Sequence, residues 1–595
     1  MFKLTTVFIL LSTLLLQAAD YGKAPESIDD CFKMYAQEYF DQHPLTGANL
    51  GITPEMGFTY RKDEIGTLTI KDNRYFDFLR KYDNLFRQYD RAKLTDDQKL
   101  YLDIMLYSNE QDFRTEKYQW HWYMINSYNN FHLNLYGQAS ITQVLENRAE
   151  VENFLARYRK FAALLPDIRD EMQQQADKNI IPPVYIADIF LKTLSDFIAP
   201  DPANNSLSAA FKAEIGGYKF LTAAEKTRYS AEFVAVMKEQ IYPQYSEMIE
   251  IVKTAQAKAD RKAGVWKLPD GDQFYKAALF SNDIDMDPSE IHDLGIREVK
   301  RIQAEVLKIC AKYGFTEGKK FGEIETAMYK YLKTVPGMRY EQNDSTASTI
   351  LKDYQQIIDK IYTKLPEVFS VLPKAKVRVE TIPDYKVASS GAYYESPSID
   401  GKRPGVFFTN ASGGNKYGMR DLAIHEAIPG HHLQLAVGLE SHQKPMAMNF
   451  LNFTAFLEGW ALYCERLGME QGWYESDYEL FGYYMSELYR AARLVVDTGM
   501  HYKKWSRQEA ADYLIANVGW ASESELNRYI LWPGQACAYK IGEQKILKLR
   551  EKAKKELGDR FDIKDFHTAV LKNGAVPLKM LERQVDDYIE LKKVR

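Results

Sequence analysis

The chain has 595 residues, 46% of them hydrophobic, and its 77 Lys and Arg against 82 Asp and Glu give a formal net charge of −5. Interspersed charge with a slight acidic excess argues against a nucleic-acid binder or a protein that rides on an anionic membrane surface. The length is ample for a large core in more than one lobe, and no low-complexity tract or internal repeat is visible.

Met1 to Ala19, M-F-K-L-T-T-V-F-I-L-L-S-T-L-L-L-Q-A-A, has one lysine, a long apolar run and a small-residue end. This reads as a secretory signal peptide, too short for a membrane span. No cysteine stands at the cleavage point, so a lipid anchor is not expected. The mature chain is expected to begin near Asp20 and to reside in the periplasm or outside the cell, with no later span. The four cysteines, Cys31, Cys310, Cys464 and Cys537, lack zinc-knuckle spacing. Some could pair in an exported chain, but Cys464 and Cys537 lie in apolar contexts that suit a buried thiol.

Up to Lys267, apolar residues recur at three and four with charges between them. That periodicity predicts helices over Asp29–Phe40, Asp96–Gln111, Ser140–Leu165 and Ala223–Ala259. Tyrosine is abundant, 41 in all, and the run Tyr118 to Tyr123 suits core or wall packing or, alternatively, the lining of a peptide channel. We read residues 20–264 as an N-terminal helical lobe and 265–595 as a catalytic lobe, with a soft boundary. Gly391 to Asn410 has hairpin composition: G-A-Y-Y and G-V-F-F-T-N are strand-like, joined by turn-rich P-S-I-D-G-K-R-P.

Ile424 to Gln434, I-H-E-A-I-P-G-H-H-L-Q, is the densest chemistry in the chain, with three of its ten histidines and a glutamate between positions 425 and 432. Neutral imidazoles hold zinc at about 2.0–2.1 Å, and catalytic sites use three protein ligands plus a water. A neighbouring carboxylate takes the proton of that water, and Glu426 is the candidate. The spacing is unusual. In H-E-x-x-H the histidines are four apart on one helical face, whereas His431 and His432 follow His425 by six and seven. Seven residues of straight helix would separate two side chains by about 10.5 Å along the axis. Pro429 opposes a straight helix, because it lacks an N–H and clashes with the carbonyl of His425. A break there can turn either His431 or His432 toward His425, and spacing leaves the choice open.

A third ligand is expected from the next helix. Leu451 to Gly468 reads as an apolar helix carrying only two acidic residues, Glu458 and Glu465, seven apart on one face. A carboxylate on such a helix is costly unless paired or metal-bound, so Glu458 is the predicted ligand and Glu465 a residue that orients one. Pairing of both with Arg or Lys is the alternative. In Ala491 to His501, Asp497 and His501 are an i, i+4 pair, suited to fix a histidine that donates to an oxyanion or to form an ordinary surface pair.

With G-A-Y-Y-E-S-P-S-I-D-G-K-R-P-G-V-F-F-T-N, H-E-A-I-P-G-H-H-L-Q, E-G-W-A-L-Y-C-E-R-L, R-L-V-V-D-T-G-M-H and W-P-G-Q-A-C-A-Y-K-I-G in this order, the chain resembles the bacterial domain of unknown function family 885, which is similar to gluzincin zinc metallopeptidases. The resemblance reaches back to L-P-D-G-D-Q-F-Y at Leu268. It implies a mostly α, two-lobed helical fold around a deep cleft, with a small β-hairpin or sheet beside the zinc helix. It also implies His431 rather than His432 as second ligand, Glu458 as third, and Tyr539 as a transition-state donor, where a core tyrosine with a satisfied hydroxyl is the plainer role. His432, Glu465 and Asp497 fall to supporting positions. In such enzymes an edge strand just before the zinc helix pairs with the backbone of the substrate, which makes Tyr393 and Tyr394 substrate contacts unless they only pack the hairpin.

The combined expectation is an exported zinc peptidase acting on short peptides. One Zn²⁺ is held by His425, His431 and Glu458, Glu426 serves as base, and Tyr539 and His501 as oxyanion donors. Arg490, Arg493, Arg528 and Lys540 are possible anchors for a substrate carboxylate. A zinc amidase acting on a non-peptide or cell-wall amide would use the same groups, and a metal-bearing peptide-binding protein is the non-enzymatic alternative, though it needs no base beside its metal.

Overall fold

The computed structural model of the protein describes residues 21–66, 69–128, 145–315, 320–341, 343–383, 391–441 and 443–594. The expected signal peptide lies outside the described residues. The protein is mostly helical, with one three-stranded sheet. No helix among the described residues is long and apolar enough to cross a membrane.

The periodic segments fold as helices Ile28–Gln42, Asp96–Glu116 and Arg148–Asp177, residues 140–144 of the third expected helix lying outside the described residues. The stretch expected as one helix from Ala223 divides into Ala223–Val236 and Tyr242–Gln256, joined by a π turn at Met237–Ile241. Pro243 explains the interruption: it has no N–H to donate to the carbonyl of Glu239, and a wider turn absorbs the missing bond.

The apolar packing does not follow the boundary at residue 264. One core is built from helices Arg148–Asp177, Val184–Ile198, Ser206–Gly216, Ala223–Val236 and Tyr242–Gln256. The larger core joins the first helices, from Ile28 to Tyr123, to the chain beyond Ala263. The Tyr118–Tyr123 run stitches this union: the Tyr118 hydroxyl donates to Asp270 at 2.6 Å, and Trp122 meets Phe274 edge-on at 5.1 Å. It is wall packing in the described structure. All four cysteines are buried and free.

In the sheet, β1 (Val377–Thr381) pairs parallel and β2 (Tyr393–Glu395) antiparallel with a central β3 (Gly405–Thr409). The hairpin segment is therefore β2 and β3. The strand before the first histidine is the buried centre of the sheet, and β1 and β2 are its edges. Helix Met419–Glu426 follows β3 and carries His425 and Glu426 into the interior.

Candidate metal centre

The His-Glu helix stops at Glu426 and a new one starts at His431, ending on Glu440. Between them the Ile428–Pro429 bond is cis, and Gly430 packs against the end of the first helix, donating its N–H to the Ile424 carbonyl at 2.9 Å. A Cβ on Gly430 would stand 1.9 Å from the His425 carbonyl oxygen, so only glycine permits this turn. The turn folds His431 back onto His425, their ring centroids 4.9 Å apart and nearly perpendicular. It is clamped by the next helix, Thr454–Glu470, where the Trp460 N–H donates to the Pro429 carbonyl at 2.9 Å and the Cys464 thiol reaches the same oxygen at 3.3 Å.

That helix also supplies Glu458. Its Oε2 lies 3.5 Å from Nε2 of His425 and 3.4 Å from Nε2 of His431, and one ligand atom from each of the three residues falls within 4.8 Å of the others. Donors at about 2.0–2.1 Å around a tetrahedral zinc stand about 3.3–3.4 Å apart. Two imidazoles and a carboxylate at this spacing fit that ion. His425 is pre-oriented from behind: its Nδ1 donates to Oε1 of Glu465 at 2.6 Å, leaving Nε2 for the site. Glu465 is fully buried and held by Arg490 at 3.5 Å; Ser486 bonds both Glu465 and Arg490.

The electrostatics favour a cation. Burial alone would raise the Glu458 carboxyl, but hydrogen bonds and charge from His425 and His431 hold it well below the usual range. Burial opposes protonation of His425, yet Glu458, Glu465 and Glu426 raise it to about 10. With Arg490 set against Glu465, Glu458 and Glu426 remain beside the two imidazoles, a pair of carboxylates whose charge a divalent ion neutralises. Glu426, 7% exposed, is pushed upward by burial and lies in the fields of both histidines. Tyr539, on helix Gln535–Leu557, places its ring 6.3 Å from that of His425 and nearly parallel to it. Among the described residues no hydrogen bond holds its hydroxyl. His432 points elsewhere: its Nδ1 accepts from the Tyr394 hydroxyl at 2.8 Å and its Nε2 donates to the Ala375 carbonyl at 3.0 Å. Both nitrogens are spent, and burial lowers its pKa to about 4.

A family described as "Bacterial protein of unknown function (DUF885)" matches residues 44–585. The chain belongs to this family. No curated protein sequence matches it. A solved structure described as "the putative lipoprotein from Colwellia psychrerythraea" is 28% identical, with a TM-score of 0.88 over 95% of this chain and 99% of that one. Another, "a putative lipoprotein of unknown function from Shewanella oneidensis", shares the fold at 19% identity and a TM-score of 0.67, over 94% of this chain and 99% of its own.

The remaining expected site residues of this DUF885 member are placed as follows. His501 is fully buried with both ring nitrogens committed to backbone, accepting from the Val265 N–H at 3.1 Å and donating to the Tyr529 carbonyl at 2.9 Å. It is a pin between segments rather than an oxyanion donor. Asp497 does not orient it by a hydrogen bond; it accepts instead from the Tyr275 hydroxyl at 2.6 Å and the Gly534 N–H at 3.1 Å. Tyr394 is engaged with His432, and Tyr393, on the opposite face of β2, stacks on Phe408 at 4.9 Å. Lys540 is no anchor, since it is fully buried against Glu487 and Glu543, each at 2.6 Å. Sequence reasoning missed Trp460 and Cys464 as clamps of the turn. The signal was present in E-G-W-A-L-Y-C-E, where an indole and a thiol lie four apart on one helical face.

Proposed function

We propose that this chain is an exported zinc metallopeptidase that hydrolyses short peptides. The observation that carries the reading is the convergence of His425, His431 and Glu458 on one point, with the Glu426 carboxyl buried beside them. Zinc, when bound, supplies Lewis acidity toward the scissile carbonyl and the attacking water. Glu426 accepts the proton of that water as its oxygen bonds to the carbonyl carbon. It returns the proton to the amine as the C–N bond breaks, so one peptide and one water become a carboxylate and an amine. Tyr539 donates to the oxygen that gains charge; a donor of this kind is worth about 2.7–4 kcal/mol. Glu465 and Arg490 hold the His425 ring in the orientation the site needs.

The test is incubation of the purified mature protein with a short-peptide library, with and without a zinc chelator, read by mass spectrometry. Chelator-sensitive cleavage is expected, and Glu426→Gln is expected to retain zinc while losing nearly all turnover. An untouched library from zinc-loaded protein, or full activity in the Gln variant, would overturn the reading.

A further inference from the structure

Beside the metal centre lies a buried positive excess. Arg493, on helix Asp477–His501, and Arg528, on helix Glu523–Leu531, share a single carboxylate, with Glu525 Oε2 at 3.0 Å from one and 2.9 Å from the other. Their side chains are 10% and 12% exposed. The other polar contacts of the pair are neutral: Arg493 donates to the Tyr529 hydroxyl at 3.1 Å, and Arg528 to the Gln535 side-chain carbonyl at 2.8 Å. Nη1 of Arg493 and Nε of Arg528 are buried and have no acceptor among the described residues. Two guanidiniums against one carboxylate leave one positive charge unbalanced away from water, which is costly unless an anion arrives.

The position of this excess says which anion. The Arg493 guanidinium lies over the Tyr539 ring, 4.6 Å from its centroid, and the same ring lies 6.3 Å from that of His425. One tyrosine ring thus lies between His425 and Arg493. Those two distances laid end to end correspond to about three residues of extended chain at roughly 3.3–3.6 Å each. An anion on Arg493 therefore belongs to the same substrate molecule that reaches the metal, and the one anion every linear peptide carries is its C-terminal carboxylate. Guanidinium forks match carboxylate geometry.

We infer that Arg493 and Arg528 bind the free C-terminal carboxylate of the substrate, making the enzyme a C-terminal exopeptidase that cuts within the last few residues. This rests on the metallopeptidase reading above. Arg490, one turn earlier on the same helix, is not part of the anchor because Glu465 already balances it.

The test compares one N-acetylated peptide as free acid and as C-terminal amide, with and without chelator, and adds Arg493→Gln and Arg528→Gln. The free acid is expected to be cut near its C-terminus at least tenfold faster than the amide. Each variant should shrink the acid-over-amide preference at least tenfold, chiefly through a raised KM for the acid; a merely structural role would impair both substrates alike and keep the preference. A parallel arm measures calorimetric binding of acid and amide to Glu426→Gln protein, independent of turnover. Equal, chelator-sensitive cleavage of acid and amide would overturn the anchor while sparing the metallopeptidase. Absence of any cleavage would remove the peptidase reading, and the binding arm would then decide the anchor, supported by at least tenfold tighter binding of the acid and overturned by equal binding.

Discussion

Gly459 and Gly542 meet where helices Thr454–Glu470 and Gln535–Leu557 cross: a Cβ on Gly459 would stand 2.4 Å from the Gly542 Cα, and one on Gly542 would stand 1.7 Å from the Ala455 carbonyl oxygen. This backbone contact fixes how near Tyr539, three residues before Gly542, comes to the centre built around Glu458. Alanine would ordinarily gain up to about 1 kcal/mol of helix propensity over glycine. Here the added methyl meets backbone that cannot rotate away, and overpacking of about 1–3 kcal/mol outweighs that gain. Gly542→Ala is therefore expected to lower the thermal midpoint and to reduce peptide turnover by displacing Tyr539. Unchanged melting and activity would show that the crossing has slack.

His431 and His432 separate by zinc content. His431→Ala removes a proposed ligand and is expected to abolish stoichiometric zinc measured by mass spectrometry of the metal. His432→Ala is expected to keep zinc and lose stability, because it leaves the Tyr394 hydroxyl and the Ala375 carbonyl without their partner. An unsatisfied buried polar group costs about 1–3 kcal/mol. Zinc loss in the His432 variant alone would reverse the assignment.

Residue types and order carried much of this centre into view, since His425, Glu426 and Glu458 stand out by chemistry alone. Spacing left the second histidine open because the direction of its ring depends on backbone angles at the break: Ala427 at φ −104°, ψ −94° and Gly430 at φ −70°, ψ −127°. No periodicity encodes such values. The Asp497–His501 spacing pointed to a local pair, but each residue found stronger partners from distant segments, Val265 for the histidine and Tyr275 for the aspartate. Tertiary competition of this kind is invisible to an i, i+4 rule. The strand β1, V-R-V-E-T, was not anticipated, because five residues with mixed exposure resemble a loop until β3 pairs with them.

Glu465 tests how far the support behind the ligands matters. Its carboxylate accepts from Nδ1 of His425 and is otherwise held by Arg490 and Ser486. Glu465→Gln keeps the volume and one acceptor but removes the charge that makes the imidazole a better donor. Loss of such a partner typically costs about 10–100-fold in metal affinity, and a competitive chelator titration should show a weakening of that order with the fold intact. Unaltered affinity would reduce Glu465 to a packing residue.

Acid stability should depend on His567, far from this centre in sequence. The ring is buried, donates from Nδ1 to the Val368 carbonyl at 2.8 Å and accepts at Nε2 from the Tyr463 hydroxyl at 2.7 Å. Burial lowers its pKa from the ordinary 6.5 to about 3. Between those values the unfolded chain binds the proton and the folded chain does not, so stability falls as pH falls. One such group contributes a slope of about 1.4 kcal/mol per pH unit at most. His567→Gln retains a donor and an acceptor but does not titrate. Urea unfolding from pH 7.5 to 5 is expected to show wild type the more stable at the upper end, with its advantage over the variant shrinking once the pH passes below 6.5. A gap independent of pH would mean that the folded chain protonates His567 as readily as the unfolded one.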